Sequence, residues 1–179
     1  MDDDRTKSSL IEFSEFKDFY SIGIIANTHG LFREEVIEIF RYCDLIIHGG
    51  DIGAKAVLDQ LISIAPVVAV RGNGDVDEWA AGFPAMQQVK VGSVNLYVIH
   101  NINDFGDGGI DRYDAIIFGP AHQPKIEKQN SVLYVNPGSA GPKRFNWPVS
   151  VVKLRIDGGE VSAEIVELDG RKPVEEVRQ

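Results

Sequence analysis

Cysteine is nearly absent: Cys43 stands alone among 179 residues. A disulfide framework is thereby excluded, and a reducing, cytoplasmic setting is expected. Cys43 closes a helix-like run, where a small buried apolar residue is expected rather than a nucleophile. Basic residues are scarce too, with 18 Lys and Arg against 27 Asp and Glu, for a formal net charge of −9. That sign repels nucleic-acid phosphates and argues against an extended DNA or RNA groove. Small anions stay open, because a bound metal reverses the local sign. No apolar run has the length of a membrane span, so no membrane partner is expected. Met1-Asp2-Asp3-Asp4 carries the wrong charge for a secretory leader. Internal repeats, low-complexity tracts and composition shifts that would mark a second domain are also missing.

What remains is ordinary globular composition, 44% hydrophobic and 25% charged, in a length that suits one domain. Residues 1–20 read as an N-terminal extension, 21–170 as the domain and 171–179 as a charged tail. Within the extension, Leu10, Ile11, Phe13, Phe16, Phe19 and Tyr20 alternate with charged residues. This suggests an amphipathic segment docked on the body, or alternatively an element for a protein partner or a homo-oligomer. From Ile22 onward, short buried strands alternate with helical patterns. Strands at 22–26, 45–47 and 67–70 enclose helices at 32–42 and 54–64, giving a parallel βαβαβ unit. The second half reads as hairpins at 86–99 and 149–168, with further short strands at 115–118 and 131–135.

The polar residues follow a plan. His29, His48, His100 and His122 each lie at or just beyond the end of a strand, as do Asn27, Asp51 and Asn73. Carboxyl ends of strands are where open α/β sheets bind ligands. Imidazoles, one carboxylate and a neutral amide oxygen form a mixed N/O donor set. That set suits Mn, Fe, Zn or Co better than an all-oxygen Ca or Mg cage.

Six stretches occur in a telling order: Asn27-Thr28-His29, Gly50-Asp51, Gly72-Asn73-Gly74-Asp75, His100, Gly119-Pro120-Ala121-His122 and Asn136-Pro137-Gly138-Ser139. Over residues 21–168 the chain resembles the calcineurin-like metallophosphoesterases, specifically the small group that includes phosphodiesterases and the retromer subunit vacuolar sorting protein 29. The resemblance implies an α/β fold, a four-layer β-sandwich flanked by helices. It implies metal-dependent hydrolysis of a small phosphodiester or phosphomonoester by a metal-activated water, with Asp51, His29 and Asn73 central to catalysis. It also implies one or two divalent ions, Mn²⁺ first, with Zn²⁺, Fe²⁺, Ni²⁺ or Co²⁺ as alternatives. Asp51 would bridge a first ion held by Asn27, His29 and His122 and a second held by Asn73 and His100. Two such ions, about 3.5–4 Å apart, clamp both oxygens of an in-line displacement.

The chain departs from that pattern at four places. Asn27 replaces Asp and brings no charge, so Asn27→Asp is expected to raise turnover. Pro120 replaces His and has no side-chain donor, which leaves the second ion weak or missing. Ile102 stands where close relatives often have His. Gly74 likewise replaces the general acid of many superfamily members. A non-catalytic scaffold or binding protein on the same fold is the competing expectation. His48 and Asp75 are candidates to brace the ligands, Asp75 through His29 or Asn73. Asp104, Asp107 and Asp111 read as a solvated Gly/Asp loop.

Overall fold

The computed structural model describes residues 10–14, 17–106 and 108–168, and the backbone of 173–178. Twelve strands form two sheets of six. In chain order the strands are β1 (Leu10–Phe13), β2 (Phe19–Ile25), β3 (Leu45–His48), β4 (Val67–Ala69), β5 (Met86–Val91), β6 (Val94–Ile99), β7 (Ala115–Ile117), β8 (Lys125–Gln129), β9 (Val132–Asn136), β10 (Ser150–Asp157), β11 (Glu160–Glu167) and β12 (Pro173–Arg178). Helices α1 (Glu35–Phe40) and α2 (Lys55–Ile62) link β2 to β3 and β3 to β4. One sheet runs β1-β5-β6-β7-β9-β8 and the other β12-β11-β10-β2-β3-β4.

The βαβαβ unit is parallel as expected, with β3 central between β2 and β4. The reason lies in its side chains. Leu45 and Ile47 face the other sheet, whereas Ile46 faces the helices with Val36, Phe40, Val57, Leu58 and Leu61. A strand covered on both faces must be apolar at every position. Between the sheets, Ile22, Ile24, Leu45, Ile47 and Val152 meet Val89, Leu96, Val98, Ile117 and Val135. Burying each such side chain contributes about 1.5–3 kcal/mol.

The fourth layer is built from 3-10 turns, Ile102–Asp104 and Ile110–Arg112, rather than from a helix. Ile102, Phe105, Ile110 and Tyr113 cover Tyr97, Ile99 and Ile116 there. Ile102 is thus part of an apolar layer. Asp104 and Asp111 are exposed, as a solvated loop requires, and Asp107 lies outside the described residues. Cys43 is buried and free, its Sγ 3.6 Å from Ser21 Oγ.

Three differences from the sequence reading stand out. The extension is part of the sandwich: β1 pairs parallel with β5, Ile11 and Phe13 pack on the core, and β2 begins at Phe19. The tail contains β12, which pairs antiparallel with β11. Strand β8, mixed in charge, escaped the pattern because only Ile126 in it is buried.

The arrangement of parallel strands places the site. β2-β3-β4 in one sheet and β6-β7-β9 in the other are both parallel triads. Their carboxyl ends deliver Asn27 to His29, Asp51, His100, His122 and the loop at 136–139 to one end of the sandwich, across the seam between the sheets.

Candidate metal centre

Backbone hydrogen bonds extend the β2–β3 ladder past its last regular residue. Asn27 N–H donates to Gly50 O at 3.0 Å, His29 N–H to Asp51 O at 3.0 Å, and Gly30 N–H to Ile52 O at 2.8 Å. His29 and Asp51 are therefore held side by side by main chain. The loop carrying Asp51 is clamped on its other side by Asp75. This buried carboxylate accepts the N–H groups of Ile52, Gly53 and Gly72 at 2.8–3.0 Å. Asp75 thus braces backbone, not His29 or Asn73 directly. Gly72 approaches Asp51 so closely that an added Cβ would lie 2.2 Å from Asp51 Oδ1. Gly74 gives its N–H to the same oxygen at 2.8 Å.

One ligand-capable atom each from His29, Asp51 and His122 lie within 4.8 Å of one another. The two imidazoles are stacked, with centroids 5.3 Å apart and planes 9° apart. Asn27 joins them fully buried. Its Nδ2 donates to Gly119 O at 2.6 Å and Gly138 O at 2.9 Å, which fixes the amide and leaves Oδ1 turned away from both carbonyls. Among the described residues, three buried side-chain N or O atoms lack a hydrogen-bond partner: Asn27 Oδ1, His29 Nε2 and His122 Nδ1. Orphaned buried acceptors are costly and call for an explanation. The two nitrogens belong to the His29, Asp51 and His122 group, a donor set of the kind that divalent cations take.

Backbone strain gathers at the same place. Asn27, His29, Asp51, Ala121 and His122 all have left-handed φ, between 47° and 75°. Such conformations are costly for residues other than glycine and concentrate at binding sites.

Protonation favours ligation. Burial pushes His29 below its ordinary pKa, and the nearby Arg144 charge adds to this against the pull of Asp51. Burial, then the charges of His29 and Arg144, lower His122. Both rings are neutral near pH 7, as ligands must be. For Asp51, burial opposes ionisation, but hydrogen bonds from His100 and Gly74 outweigh it and bring the carboxyl down to about 2.

His100 is arranged differently. Its Nδ1 lies 2.8 Å from Gly49 O and its Nε2 lies 3.3 Å from Asp51 Oδ2. A carbonyl only accepts, so Nδ1 carries a proton and Nε2 is left facing the carboxylate. Burial opposes the charged ring, but the bonds to Asp51 and Gly49 prevail and raise its pKa. Asn73 is exposed in its loop. Pro120 offers only a carbonyl, which accepts from Asn136 Nδ2 at 2.8 Å. Of the residues expected around a second ion, His100 lies against Asp51, Asn73 is exposed and Pro120 brings no side-chain donor.

His48 is buried and makes no contact with the ligand atoms. Thr28 Oγ1 donates to Ile52 O at 2.8 Å, so it accepts from His48 Nε2 at 2.9 Å, and His48 Nδ1 accepts the Gly50 N–H at 3.1 Å. The ring is a neutral strut that sets Gly50 beside Asp51. Ser139 Oγ donates to Asn27 O at 3.0 Å, so the 136–139 loop buttresses the ligand backbone. Sequence reasoning passed over Thr28, Arg33 and Arg144. The signal for Arg144 was present: adjacent Lys143 and Arg144 follow that loop after Ala140-Gly141-Pro142 in an acidic chain.

Residues 20–159 match the profile of the calcineurin-like phosphoesterase superfamily domain. A protein of Methanothermobacter thermautotrophicus described as a probable metallophosphoesterase is 35% identical over 158 residues, covering 81% of this chain and 91% of its own. The fold is shared with YfcE, a phosphoesterase from E. coli, at a TM-score of 0.68 and 22% identity, over 88% of this chain and 98% of that one. It is shared equally with Vps29 from Entamoeba histolytica, solved with zinc, at a TM-score of 0.71 and 19% identity, over 88% and 98%. The chain belongs to the calcineurin-like phosphoesterase superfamily, a divalent-metal-dependent family. Among the described residues, no helix is long and apolar enough to cross a membrane.

Proposed function

We propose that this protein is a metal-dependent phosphoesterase acting on a small phosphate ester through a single dominant ion, Mn²⁺ first. The observations that carry this are the His29, Asp51 and His122 cluster and the buried, unpartnered Asn27 Oδ1, His29 Nε2 and His122 Nδ1. These four residues would hold the ion. When bound, it would supply Lewis-acid polarisation of the phosphoryl group and lower the pKa of a water molecule.

The chain's own groups divide the remaining work. Asp51 supplies the negative charge, fixed by Gly74 N–H and His100. Neutral His29 and His122 supply nitrogen donors, and Asn27 an oxygen donor without charge. His100 Nε2 faces Asp51 Oδ2 at 3.3 Å, where the family pattern would place a second ion. Pro120, which brings no side-chain donor there, supports a one-ion site with slow turnover.

A catalytically silent binding protein is the second reading. Pro120 favours it, as does the fold shared with Vps29.

The test is metal content and turnover on the same sample. The purified chain would be saturated with Mn²⁺, its bound ions counted, and bis-p-nitrophenyl phosphate hydrolysis assayed, alongside Asp51→Ala. One tightly held ion and turnover, both lost in Asp51→Ala, are expected. A bound ion without turnover on any phosphate ester would favour the binding protein, and absence of a bound ion would sink the phosphoesterase reading.

A further inference from the structure

Beside the candidate centre stands a loop, residues 141–148, whose construction is unlike that of an ordinary connection. Its first foot is planted on the ligand backbone. Ala140 N–H donates to Ala26 O at 3.1 Å, and the Arg33 side chain donates to Ala140 O at 3.2 Å and Gly141 O at 3.0 Å. Gly141 packs so tightly there that an added Cβ would lie 2.3 Å from Asn27 O and 2.5 Å from Thr28 O. Its second foot is fixed by the parallel bridge of Ser139 with Val149 and by Ser150 N–H donating to Ser139 O at 3.0 Å. A loop anchored at both ends on the site's own backbone holds its tip in register with the site.

The tip carries a cation and an exposed ring. Arg144 stands three residues beyond Gly141, which packs against the Asn27 and Thr28 carbonyls. Among the described residues Arg144 has no ion-pair partner. Phe145 is 80% exposed and sits at φ 55°. A bulky residue in the left-handed region is a genuine outlier, and strain of this kind persists where surrounding structure enforces it. Here it yields no burial of the ring, so the fold itself gains nothing from it.

We propose that this loop is the substrate-recognition arm of the site. Arg144 receives the anionic oxygens of the phosphate, and Phe145 stacks on a flat aromatic group esterified to it. The substrate class is then a nucleotide-like or aryl phosphate ester, not a sugar or alkyl phosphate. The inference rests on the reading of the adjacent centre as a phosphate-ester site. Guanidinium–phosphate pairing is planar and charge-assisted, and ring-on-base stacking is indifferent to which base it meets.

The experiment compares two ligands on the full-length, Mn²⁺-loaded protein by equilibrium calorimetry. Adenosine 5′-monophosphate carries phosphate and base, and ribose 5-phosphate carries phosphate alone. Arg144→Ala is expected to weaken both by about 10- to 100-fold, with partial recovery in Arg144→Lys. Phe145→Ala is expected to weaken the nucleotide by about 5- to 10-fold and leave ribose 5-phosphate within about twofold. Phe145→Gly relieves the backbone, so its melting temperature should rise while its nucleotide affinity falls as in Phe145→Ala. Wild-type affinity for both ligands in Arg144→Ala, equal losses for both in Phe145→Ala, or no binding by the wild type would each overturn the proposal. Turnover is scored separately: a protein that binds through Arg144 and Phe145 yet hydrolyses nothing upholds the arm and sinks the phosphoesterase reading.

Discussion

Asn27 makes the choice between amide and carboxylate a matter of stability as well as charge. Its Nδ2 is the donor to two carbonyls at 2.6 and 2.9 Å. A carboxylate in that place has no proton to give and would face two acceptors. Family resemblance alone suggests that Asn27→Asp strengthens the centre, but these hydrogen bonds oppose that change. We expect Asn27→Asp to destabilise the metal-free protein by roughly 1–3 kcal/mol near neutral pH. The loss should shrink on acidification, because protonation returns a donor. Urea midpoints at neutral and mildly acidic pH check both statements. An unchanged midpoint at neutral pH would mean that the loop relaxes around the carboxylate.

His48 sets a second residue-scale expectation. Burial pushes its pKa from 6.5 to about 3, and its hydrogen bonds require the neutral ring. The folded pKa lies below the unfolded one, so His48 stabilises fully above about 6.5. That contribution is lost as pH falls from there toward 3, at up to ~1.4 kcal/mol per pH unit. His29 and His122, also lowered, act in the same direction. His100 is raised and opposes them, since its contribution is present below its unfolded value and lost as pH climbs through the folded one. With one histidine against three, stability should fall between about pH 6 and about pH 4. His48→Gln should reduce that slope, as read from denaturant midpoints across the range.

At the level of elements, β1 shows a pattern whose period announced docking on the body but not the form that docking takes. The alternation of Leu10 to Phe13 announced an amphipathic segment, but period alone does not name its partner. That partner is β5, reached across about 75 residues of sequence, and Ile11 and Phe13 spend their apolar surface inside the molecule. Phe13→Ala should therefore lower stability by about 2–3 kcal/mol while leaving the hydrodynamic size unchanged. A shift in oligomeric state would restore the segment to a docking role.

The same contrast explains what was legible elsewhere. β3 and the β5–β6 hairpin were readable because burial on both faces, or a Gly92-Ser93 turn, stamps the local sequence. β8 was not, because an edge strand with one buried residue carries no such stamp. For the centre, side-chain chemistry at strand ends singled out His29, Asp51 and His122. It could not reveal which groups would be spent on one another. His100 is tied to Asp51 and Gly49, Asp75 to three backbone amides, and His48 to Thr28 and Gly50. Those are decisions of three-dimensional distance, invisible in spacing.

For the molecule as a whole, the centre and the fold are coupled through binding. An ion that binds only the folded state stabilises it by about 2.7 kcal/mol at a hundred times its dissociation constant. Adding Mn²⁺ should raise the thermal midpoint and chelation should return it, measurable by scanning calorimetry without any substrate. In Asp51→Ala the shift should vanish.

The seam between the sheets adds a kinetic consequence. Asn27, His29 and Asp51 follow strands of one sheet, and His122 follows a strand of the other. An ion gripped by all four, as proposed, would be a rivet through both plates of the sandwich. Its release would require the plates to part at that end, so its exchange rate would become a clock for the breathing of the whole molecule. Amides near β3 and β7 should exchange with deuterium more slowly once the rivet is in place.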